Sequence, residues 1–467
     1  MATVIIGSGA GGLSAAIALA SAGEQVTILE SQSGAGGKML PVQLGGNTYD
    51  SGPTVLTMRW VFDELFELSG ASLDKSLGLK PLSTLARHYW TGGATLDLFA
   101  DPRQTIDAIG GFAGQAEAAG YKAFARDSQR IHQALLQPFL KSQRPTPWGL
   151  ARHAWRINPF ETYWHALGRY FKDPRLCQLF GRYATYCGSS PFKAPATLML
   201  VADVEAAGVW RVGGGMAALA QAMERRARGL GVVFHFDCQA QRIESHGSKV
   251  SAVIDANGTR HACSAVVVNA DVAAVAEGLF GSNLEKSTTA VGPKQRSLSA
   301  VTWNGVTSET GVSLSHHTVF FSDNYENEFA ELAHGPAADP TVYVCDQDQG
   351  RKLILVNAPA NEDAAPQDID RRVYNRLSRC GLDMALQNQY LRRSPLDFAK
   401  LYPATSGALY GRASHGWMST FQRPQARSKI PGLYLAGGST HPGPGVPMAA
   451  LAGMRAAEAL LEDRALM

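Results

Sequence analysis

The chain opens with a glycine cluster whose spacing can hold a diphosphate. Gly7, Gly9 and Gly12 occupy the fixed positions of a G-x-G-x-x-G pattern, after an apolar run and before an alanine-rich segment. Such glycines permit a tight turn, close approach of the backbone to a pyrophosphate, and close packing of a helix on a strand. Glu30 ends the next apolar run, where a carboxylate can accept hydrogen bonds from an adenosine ribose. The pattern predicts a dinucleotide site; the alternative is a glycine-rich loop in another α/β protein.

These residues need a strand, a helix and a second strand to position them, and the sequence predicts such elements at 3–6, 13–22 and 25–29. Further elements of this type recur in the middle and at the end of the chain. They are a glycine-rich turn at 210–216, a helix at 217–228, strands at 232–236 and 250–254, a strand that runs into a turn at 265–271, a strand that reaches a turn at 432–438, and a helix at 448–461. We therefore expect a discontinuous nucleotide domain with a second domain inserted in its gaps. Its ligand crevice should lie at the carboxyl ends of parallel strands.

Composition limits the classes of protein that fit. The 467 residues suffice for two or three domains, and a net charge of +3 gives no support to a nucleic-acid partner. The six cysteines form no C-x-x-C pair, which argues against zinc, iron–sulfur clusters and a disulfide framework and suits a reducing cytoplasm. The N-terminus lacks the basic region of a signal peptide, and we find no apolar run long enough to span a bilayer.

Charge and aromatic residues concentrate between residues 141 and 175. Seven basic residues face only Glu161 and Asp173 there, and seven aromatic residues are interleaved with them. The basic residues are Lys141, Arg144, Arg152, Arg156, Arg169, Lys172 and Arg175, and the aromatic ones are Trp148, Trp155, Phe160, Tyr163, Trp164, Tyr170 and Phe171. This mixture suits an anionic bilayer surface, where rings settle at the headgroup level. A helical subdomain with a solvated basic face and buried aromatics explains it equally well.

Four motifs, at 7–12, 36–38, 210–216 and 437–447, resemble in this order the flavin-dependent carotenoid desaturases of the phytoene desaturase family. The resemblance covers nearly the whole chain. Segments 50–59, 86–90 and 180–186 resemble more closely the hydroxyneurosporene desaturase subgroup, which oxidises 1-hydroxycarotenoids at the 3,4 bond.

The resemblance implies an α/β fold with a glutathione-reductase-like FAD-binding Rossmann domain. This domain should comprise 1–70, 208–272 and 406–467. An inserted α+β substrate domain should comprise 71–125 and 273–405. A helical subdomain that faces a membrane should comprise 126–207.

FAD is the cofactor that the resemblance implies, and it carries over specific contacts. The pyrophosphate should meet Gly7, Gly9, Ala10 and Gly12, and the adenosine ribose should meet Glu30. The remaining contacts are Gly37 and Lys38 at the phosphate and ribityl side, the backbone of Ala240 at the adenine edge, Pro53, Thr54 and Val55 at the isoalloxazine ring, and Gly437, Val446, Pro447 and Met448 at its pyrimidine end. One position departs from the pattern: many relatives of this fold have a ribityl-binding acid where this chain has Gly438.

The chemistry that the resemblance implies is removal of two hydrogens from adjacent carbons. Side chains alone cannot accept a hydride, so a cofactor must. A helix N-terminus at Met448 would stabilise negative charge on the reduced flavin. We find no metal-type histidine cluster, Ser–His–Asp set or paired carboxylates, and we predict an apolar pocket without metal. The polar candidates for contact with substrate are His88, Arg182, Tyr183, Tyr186 and His415; for each, a structural role is the alternative.

The resemblance thus predicts an FAD-dependent desaturase that introduces a 3,4 double bond into 1-hydroxylated acyclic carotenoids. We expect it in the cytoplasm, bound peripherally to the inner face of a bacterial membrane. The electron acceptor stays open between oxygen, a quinone and another carrier. The alternatives are another flavoenzyme of the same fold, such as a phytoene desaturase, a polyene saturase or isomerase, or an amine oxidase, and a non-catalytic FAD-bound carotenoid carrier. An amine oxidase is disfavoured because the terminal flavin motif contains no cysteine.

Overall fold

The structure is a computed structural model that describes residues 2–146, 160–247, 249–361, 366–419 and 421–466. Four members of the basic and aromatic segment, Trp148, Arg152, Trp155 and Arg156, lie outside the described residues.

A five-stranded parallel sheet joins the start, middle and end of the chain. Its strands, in spatial order, are Leu433–Leu435, Ala265–Val268, Ala2–Ile6, Gln25–Leu29 and Val233–His235. The three inner strands are rich in valine and isoleucine, because helices and a second layer cover both faces of a parallel sheet. The predicted α/β fold with a discontinuous Rossmann-like sheet is confirmed.

Small residues let the helices beside this sheet pack closely. The N-terminal helix, Ala10–Ser21, lies against the C-terminal helix, Val446–Ala465, and a Cβ atom at Gly453 would overlap the carbonyl oxygen of Gly11. A third helix, Met216–Gly229, packs on the same N-terminal helix. These three helices begin up to three residues before the positions that periodicity predicts, since the first turn of each contains residues without a strong helical pattern.

A larger mixed sheet forms the second layer. Its seven strands, in spatial order, are Leu382–Arg393, Ser299–Gly311, Arg351–Ala358, Val342–Asp346, His317–Phe320, Thr84–Tyr89 and Thr95–Phe99. His317–Phe320 and Thr84–Tyr89 run parallel, and all other neighbours run antiparallel. The helix Ile369–Arg379 covers this sheet and buries Val373 and Leu377 against it.

Helices between residues 102 and 206 surround an aromatic core. They are Pro102–Ala113, Gln115–Leu135, Tyr163–Tyr170, Pro174–Gly181 and Leu200–Ala206, with a 3₁₀ turn at Arg182–Cys187. Tyr163 and Phe171 are fully buried, whereas Phe160 is 73% exposed. The aromatic residues at 160–171 thus divide between the core and the surface.

The remaining elements are short. A three-stranded sheet contains Ala240–His246, Lys249–Asp255 and Arg260–Ala262. Val42–Leu44 and Asn47–Tyr49 form a hairpin, and Leu79–Pro81 pairs antiparallel with the distant strand Trp210–Val212. The further helices are Trp60–Leu68, Leu73–Ser76, Val272–Ala276, Tyr325–Glu331 and Pro395–Leu401. In the part of the chain that the structure describes, no helix has both the length and the apolar character needed to cross a membrane.

Candidate functional site: a nucleotide cradle beside an apolar cavity

The glycine turn joins the first strand to the N-terminal helix and has no room for side chains. Gly7 has a φ of +92°, and Gly9 is extended at the helix N-cap. A Cβ atom at Gly9 would lie 2.9 Å from Asn269 Nδ2, and one at Gly12 would overlap the carbonyl oxygen of Gly7. Ala10 starts the helix, so the first N–H groups of that helix have no intrahelical partner. The turn therefore fits a pyrophosphate group.

Glu30 lies where the ribose of a bound nucleotide is expected. Its carboxylate is 5% exposed at the end of the second parallel strand. Oε2 accepts hydrogen bonds from the Ser8 backbone N–H and hydroxyl, both at 2.7 Å, and Oε1 accepts one from the Gln32 N–H at 2.9 Å. These bonds fix the carboxylate beside the glycine turn, and rotation of the Ser8 hydroxyl would free a lone pair for a ribose hydroxyl.

The backbone at Gly37 and Lys38 also adjoins the glycine turn. A Cβ atom at Gly37, whose φ is +55°, would lie 3.1 Å from Gly9 Cα. Lys38 Nζ donates to the carbonyl oxygen of Leu409. Desolvation of the ammonium group lowers the pKa of Lys38, and the negative charge of Asp271 partly offsets this effect.

The segment before Ala240 lies next to Glu30. The backbone N–H of Cys238 donates to Glu30 O at 2.8 Å, and that of Asp237 donates to Gln32 O at 3.0 Å. Ala240, which begins the next strand, is 8% exposed. Contact between its backbone and an adenine edge stays a prediction.

A cavity of about 650 Å³ lies between the cradle and the second layer. Most of its wall is apolar, with leucine, valine, methionine and aromatic side chains from residues 52–58, 135–140, 197–204 and 353–355. Among the predicted flavin contacts, the wall contains Pro53, Thr54, Val55, Val446, Pro447 and Met448. Gly437 lies outside the wall, beside Asn269, with a φ of +102°.

A hydrogen-bonded polar cluster of Arg182, Tyr183, Tyr186 and Glu205 lies at the mostly apolar wall. The hydroxyls of Tyr183 and Tyr186 donate to Glu205 Oε1 at 2.6 Å and Oε2 at 2.8 Å. Arg182 Nη1 donates to the Tyr186 hydroxyl at 3.1 Å. Arg182, Tyr186 and Glu205 line the cavity, whereas Tyr183 supports Glu205 from behind it.

Burial governs ionisation in this cluster. Desolvation raises the pKa of Glu205 above its ordinary value, and the two tyrosine hydrogen bonds and the Arg182 charge oppose that shift. Desolvation lowers the pKa of Arg182, but Tyr186 and Glu205 raise it by more than desolvation lowers it. The pKa therefore lies above its ordinary value, and Arg182 stays cationic. The cluster thus contains a fixed cation beside a carboxyl group that is costly to ionise.

A second polar chain begins at the predicted flavin contact Thr54. Its hydroxyl lies 2.7 Å from that of Tyr343, which lies 2.7 Å from His317 Nδ1. The Arg182 guanidinium lies 5.4 Å from the centre of the Tyr343 ring, so Tyr343 connects the polar cluster with the flavin side of the cavity. Burial keeps the pKa of His317 well below its ordinary value and leaves the ring neutral.

Three of the predicted substrate residues, His88, Tyr183 and His415, do not line the cavity wall. His88 is 2% exposed, stacks on Phe321 with ring centres 5.9 Å apart, and donates from Nδ1 to Leu96 O at 3.0 Å. Burial lowers its pKa to about 3. His415 Nε2 accepts from the Ser190 N–H at 3.2 Å, and burial lowers its pKa to about 4. A backbone hydrogen bond thus engages one ring nitrogen of each histidine, and stacking on Phe321 further fixes His88.

Sequence reasoning missed Glu205, Tyr343 and Arg423, which all line the cavity. Glu205 had a usable signal, since it is one of only two acids in the otherwise apolar run 194–210. Tyr343 and Arg423 come from distant segments, and no local pattern distinguishes them.

Arg423 holds the loop at Gly438, where the expected ribityl acid is absent. Arg423 is 3% exposed and donates to three carbonyl oxygens: Tyr410 O at 3.2 Å, Gly438 O at 3.3 Å, and Arg412 O. Burial lowers the pKa of Arg423 to about 10, so it remains cationic at neutral pH.

Among the residues that the structure describes, two groups of potential metal ligands lie outside this wall. They are His316, His317 and Cys345, and Cys238, Asp255 and His261. Hydrogen bonding accounts for both: His316 donates to Asp346 O, and Asp255 accepts from two turn N–H groups and contacts His261.

A nucleotide cradle at the end of a parallel sheet, beside an apolar cavity, is typical of flavin-dependent oxidoreductases. The chain belongs to the family of flavin containing amine oxidoreductases, whose family model matches residues 10–461. FAD is its cofactor, and the open turn, the buried Glu30 and the cavity wall at Val446–Met448 fit it. When bound, FAD supplies the acceptor for a hydride.

Curated relatives cover nearly the whole chain. A hydroxyneurosporene desaturase from Rubrivivax gelatinosus is 44% identical over 98% of this chain and 93% of its own length. One from Cereibacter sphaeroides is 39% identical over 99% and 98%. A 1-hydroxycarotenoid 3,4-desaturase from a Flavobacterium species is 28% identical over 96% of each chain.

Solved structures share the fold. An oxidoreductase from Methanosarcina mazei superposes with a TM-score of 0.63 at 14% identity, covering 99% of this chain and 100% of its own. A putrescine oxidase variant superposes with a TM-score of 0.62 at 15% identity, covering 99% and 98%. At these identities the likeness concerns the fold alone.

Proposed function

We propose that the protein is an FAD-dependent carotenoid desaturase that introduces a 3,4 double bond into 1-hydroxylated acyclic carotenoids. The names of its relatives support this activity. The single observation that carries it is the hydrogen-bonded polar cluster of Arg182, Tyr186 and Glu205 in a mostly apolar cavity wall.

The position of the cluster suits a substrate whose hydroxyl is close to the reacting bond. Only two carbon–carbon bonds separate C1 from C3 in such a carotenoid. The hydroxyl must therefore find its partner near the flavin. Tyr343 bonds Thr54 and adjoins Arg182, so the cluster and the flavin side of the cavity are neighbours.

Arg182 and Tyr186 are the proposed hydroxyl contacts. A hydrocarbon in the same place would leave buried polar groups without a partner, at a cost of about 1–3 kcal/mol per group. Sites built to bind a hydroxyl therefore discriminate strongly against analogues that lack it. We assign neither His88 nor His415 to this role.

The test compares 1-hydroxyneurosporene with phytoene and lycopene under anaerobic conditions. We expect the hydroxylated carotenoid to bleach the flavin and to yield a red-shifted product two hydrogens lighter, whereas both hydrocarbons react at least tenfold more slowly. Equal turnover of all three would overturn the subgroup assignment. Binding without bleaching would indicate a carrier instead of an enzyme.

Removal of one hydroxyl from the wall should relax this preference. Tyr186→Phe should lower kcat/KM for 1-hydroxyneurosporene about tenfold more than kcat/KM for lycopene, a difference that corresponds to roughly one buried hydrogen bond. Tyr170→Phe is the matched control, since that hydroxyl bonds Asp127 away from the cavity. If Tyr186→Phe left the ratio of the two kcat/KM values at its wild-type level, Tyr186 would not contact the hydroxyl.

We propose further that the enzyme takes its substrate from a membrane surface and passes electrons to oxygen or to a quinone. Phe160 and Trp417 support this, because both are exposed and both line the cavity. Arg144 and the two arginines at 152 and 156 would add electrostatic attraction, about 1 kcal/mol each near an anionic surface. Neutralising all three should weaken liposome flotation, most at low salt.

We also propose the division into an FAD-binding domain (1–70, 208–272 and 406–467), a substrate domain (71–125 and 273–405) and a helical subdomain (126–207). The strand composition of the two large sheets supports it.

A further inference from the structure

We propose that Glu205 is the proton acceptor of the desaturation and touches the carbon that loses its proton. This inference rests on the proposed function and assigns a reacting group that the relatives' names do not supply. Its basis is geometric: within the described residues, Glu205 is the only carboxyl side chain in the cavity wall.

The carboxylate is held so that it cannot turn away from the wall. Each oxygen accepts one tyrosine hydroxyl, from Tyr183 at 2.6 Å and from Tyr186 at 2.8 Å. Glu205 is 4% exposed and ends the short helix Leu200–Ala206, whose Leu200, Val201 and Val204 form the adjoining wall. Each oxygen retains a further lone pair, so a proton can be accepted without breaking a tyrosine bond.

The surrounding groups leave one cation to stabilise the ionised form. Arg182 faces Glu205 from the 3₁₀ turn, and Tyr121 and Tyr163 face it from two flanking helices. Burial raises the pKa of both tyrosines, and the charge of Glu205 adds to that rise, so both stay neutral. Asp203, on the same helix, is bonded by His132 at 2.7 Å.

Burial makes the carboxylate a stronger base than an exposed one. Desolvation raises the pKa of Glu205, and the two tyrosine hydrogen bonds and the Arg182 charge oppose that rise. A base of this kind operates best when its pKa approaches the working pH.

The step balances in atoms and electrons. The carbon next to the polyene loses a hydride to the flavin, since positive charge developing there is delocalised. The C–H bond at the neighbouring carbon, on the hydroxyl side, then breaks. Its electron pair forms the new π bond, and its proton joins a Glu205 oxygen to give a neutral carboxylic acid. Loss of that proton restores the base.

The experiment uses FAD-loaded enzyme, 1-hydroxyneurosporene and Glu205→Gln in anaerobic single turnovers. We expect flavin reduction to slow at least 100-fold, as general-base loss predicts, with less than threefold change in carotenoid dissociation constant. In the wild type the rate should rise with pH as Glu205 loses its proton, and this rise should be missing in the variant. Glu328→Gln is the control, a buried carboxyl outside the cavity wall.

A second readout does not depend on turnover. In a pH titration of the FAD-loaded protein without substrate, the infrared carbonyl bands of protonated buried carboxyls should disappear with rising pH, and one of these bands should be missing in Glu205→Gln but present in Glu328→Gln. Glu205→Asp, which keeps a carboxylate, should restore part of the lost rate.

The outcomes separate the two proposals. If the wild-type flavin is not reduced by the hydroxylated carotenoid, the proposed function fails. If it is reduced, and Glu205→Gln keeps both the rate and the pH profile, the function stands and the proton acceptor is another group. If Glu205→Gln and Glu205→Asp are equally slow, Glu205 does not act as a base.

Discussion

The glycines of the first turn shape the cofactor site because they have no side chains. At Gly9 the missing side chain leaves a gap beside Asn269, and at Gly12 it lets the helix rest on the carbonyl of Gly7. These constraints are local in sequence, since a strand, a turn and a helix occur within 20 residues. The same locality explains why the spacing of the glycines and Glu30 can predict a nucleotide cradle from sequence alone.

Replacement of Gly9 by valine should abolish FAD binding. The new Cβ would lie 2.9 Å from Asn269 Nδ2, and its methyl groups would occupy the expected pyrophosphate position. We expect a colourless protein, read as the ratio of flavin absorbance to protein after purification. Gly111→Val is the control, because a Cβ there meets nothing within 4 Å. A yellow Gly9→Val protein with full flavin content would disprove the assignment.

The polar cluster could not be predicted from a local sequence pattern. Arg182, Glu205 and Tyr343 meet only after a 3₁₀ turn, a short helix and a strand of the large sheet pack together. Their sequence separations follow no motif, so the sequence pointed to Arg182 and Tyr186 only through resemblance. His88 resembled a site residue by chemistry, but its strand buries it against Phe321 and Trp90.

At the scale of elements, the helix Tyr325–Glu331 contains an ionisable group that packing makes costly. Glu328 is buried, and its carboxyl accepts hydrogen bonds from the Ser322 and Thr341 hydroxyls at 2.6 and 2.7 Å. Burial nonetheless raises the pKa of Glu328 to about 7. The folded protein therefore favours the protonated form of Glu328.

This linkage predicts a pH-dependent stability difference between the wild type and Glu328→Gln. Between about pH 4.3 and 7 the native state keeps the Glu328 proton that the unfolded chain has lost, so this contribution is complete below that window and lost as pH rises through it. The free energy of unfolding of the wild type should fall relative to the variant by about 2–3 kcal/mol across the window. Denaturant titrations at several pH values measure it.

Glu326→Gln provides the control for that measurement, because Glu326 is an exposed carboxyl on the same helix. A constant difference between the wild type and Glu328→Gln from pH 5 to 7 would show that Glu328 is ionised throughout this range.

For the whole molecule, the open question is how an apolar substrate reaches a cavity between two layers. The basic and aromatic segment does not form a single exposed surface. Tyr163 and Phe171 are core residues, Arg169 pairs with Glu161, and Arg175 pairs with Asp173. Phe160 remains exposed, in edge-to-face contact with Trp417, their ring centres 5.3 Å apart. Because both rings also line the cavity, they mark the proposed entrance from lipid.

Removal of this pair should weaken membrane binding of the intact holoenzyme. Each ring inserted among lipids contributes about 1–2 kcal/mol, so Phe160→Ser with Trp417→Ser should lower the partition coefficient more than tenfold. Flotation with vesicles of phosphatidylcholine and phosphatidylglycerol measures it, and high salt should not abolish the difference, since apolar insertion is not screened. Leu279→Ser is the control, being an exposed apolar side chain outside the cavity wall. Equal flotation of the double variant and the wild type, with equal flavin content, would place the membrane contact elsewhere on the molecule.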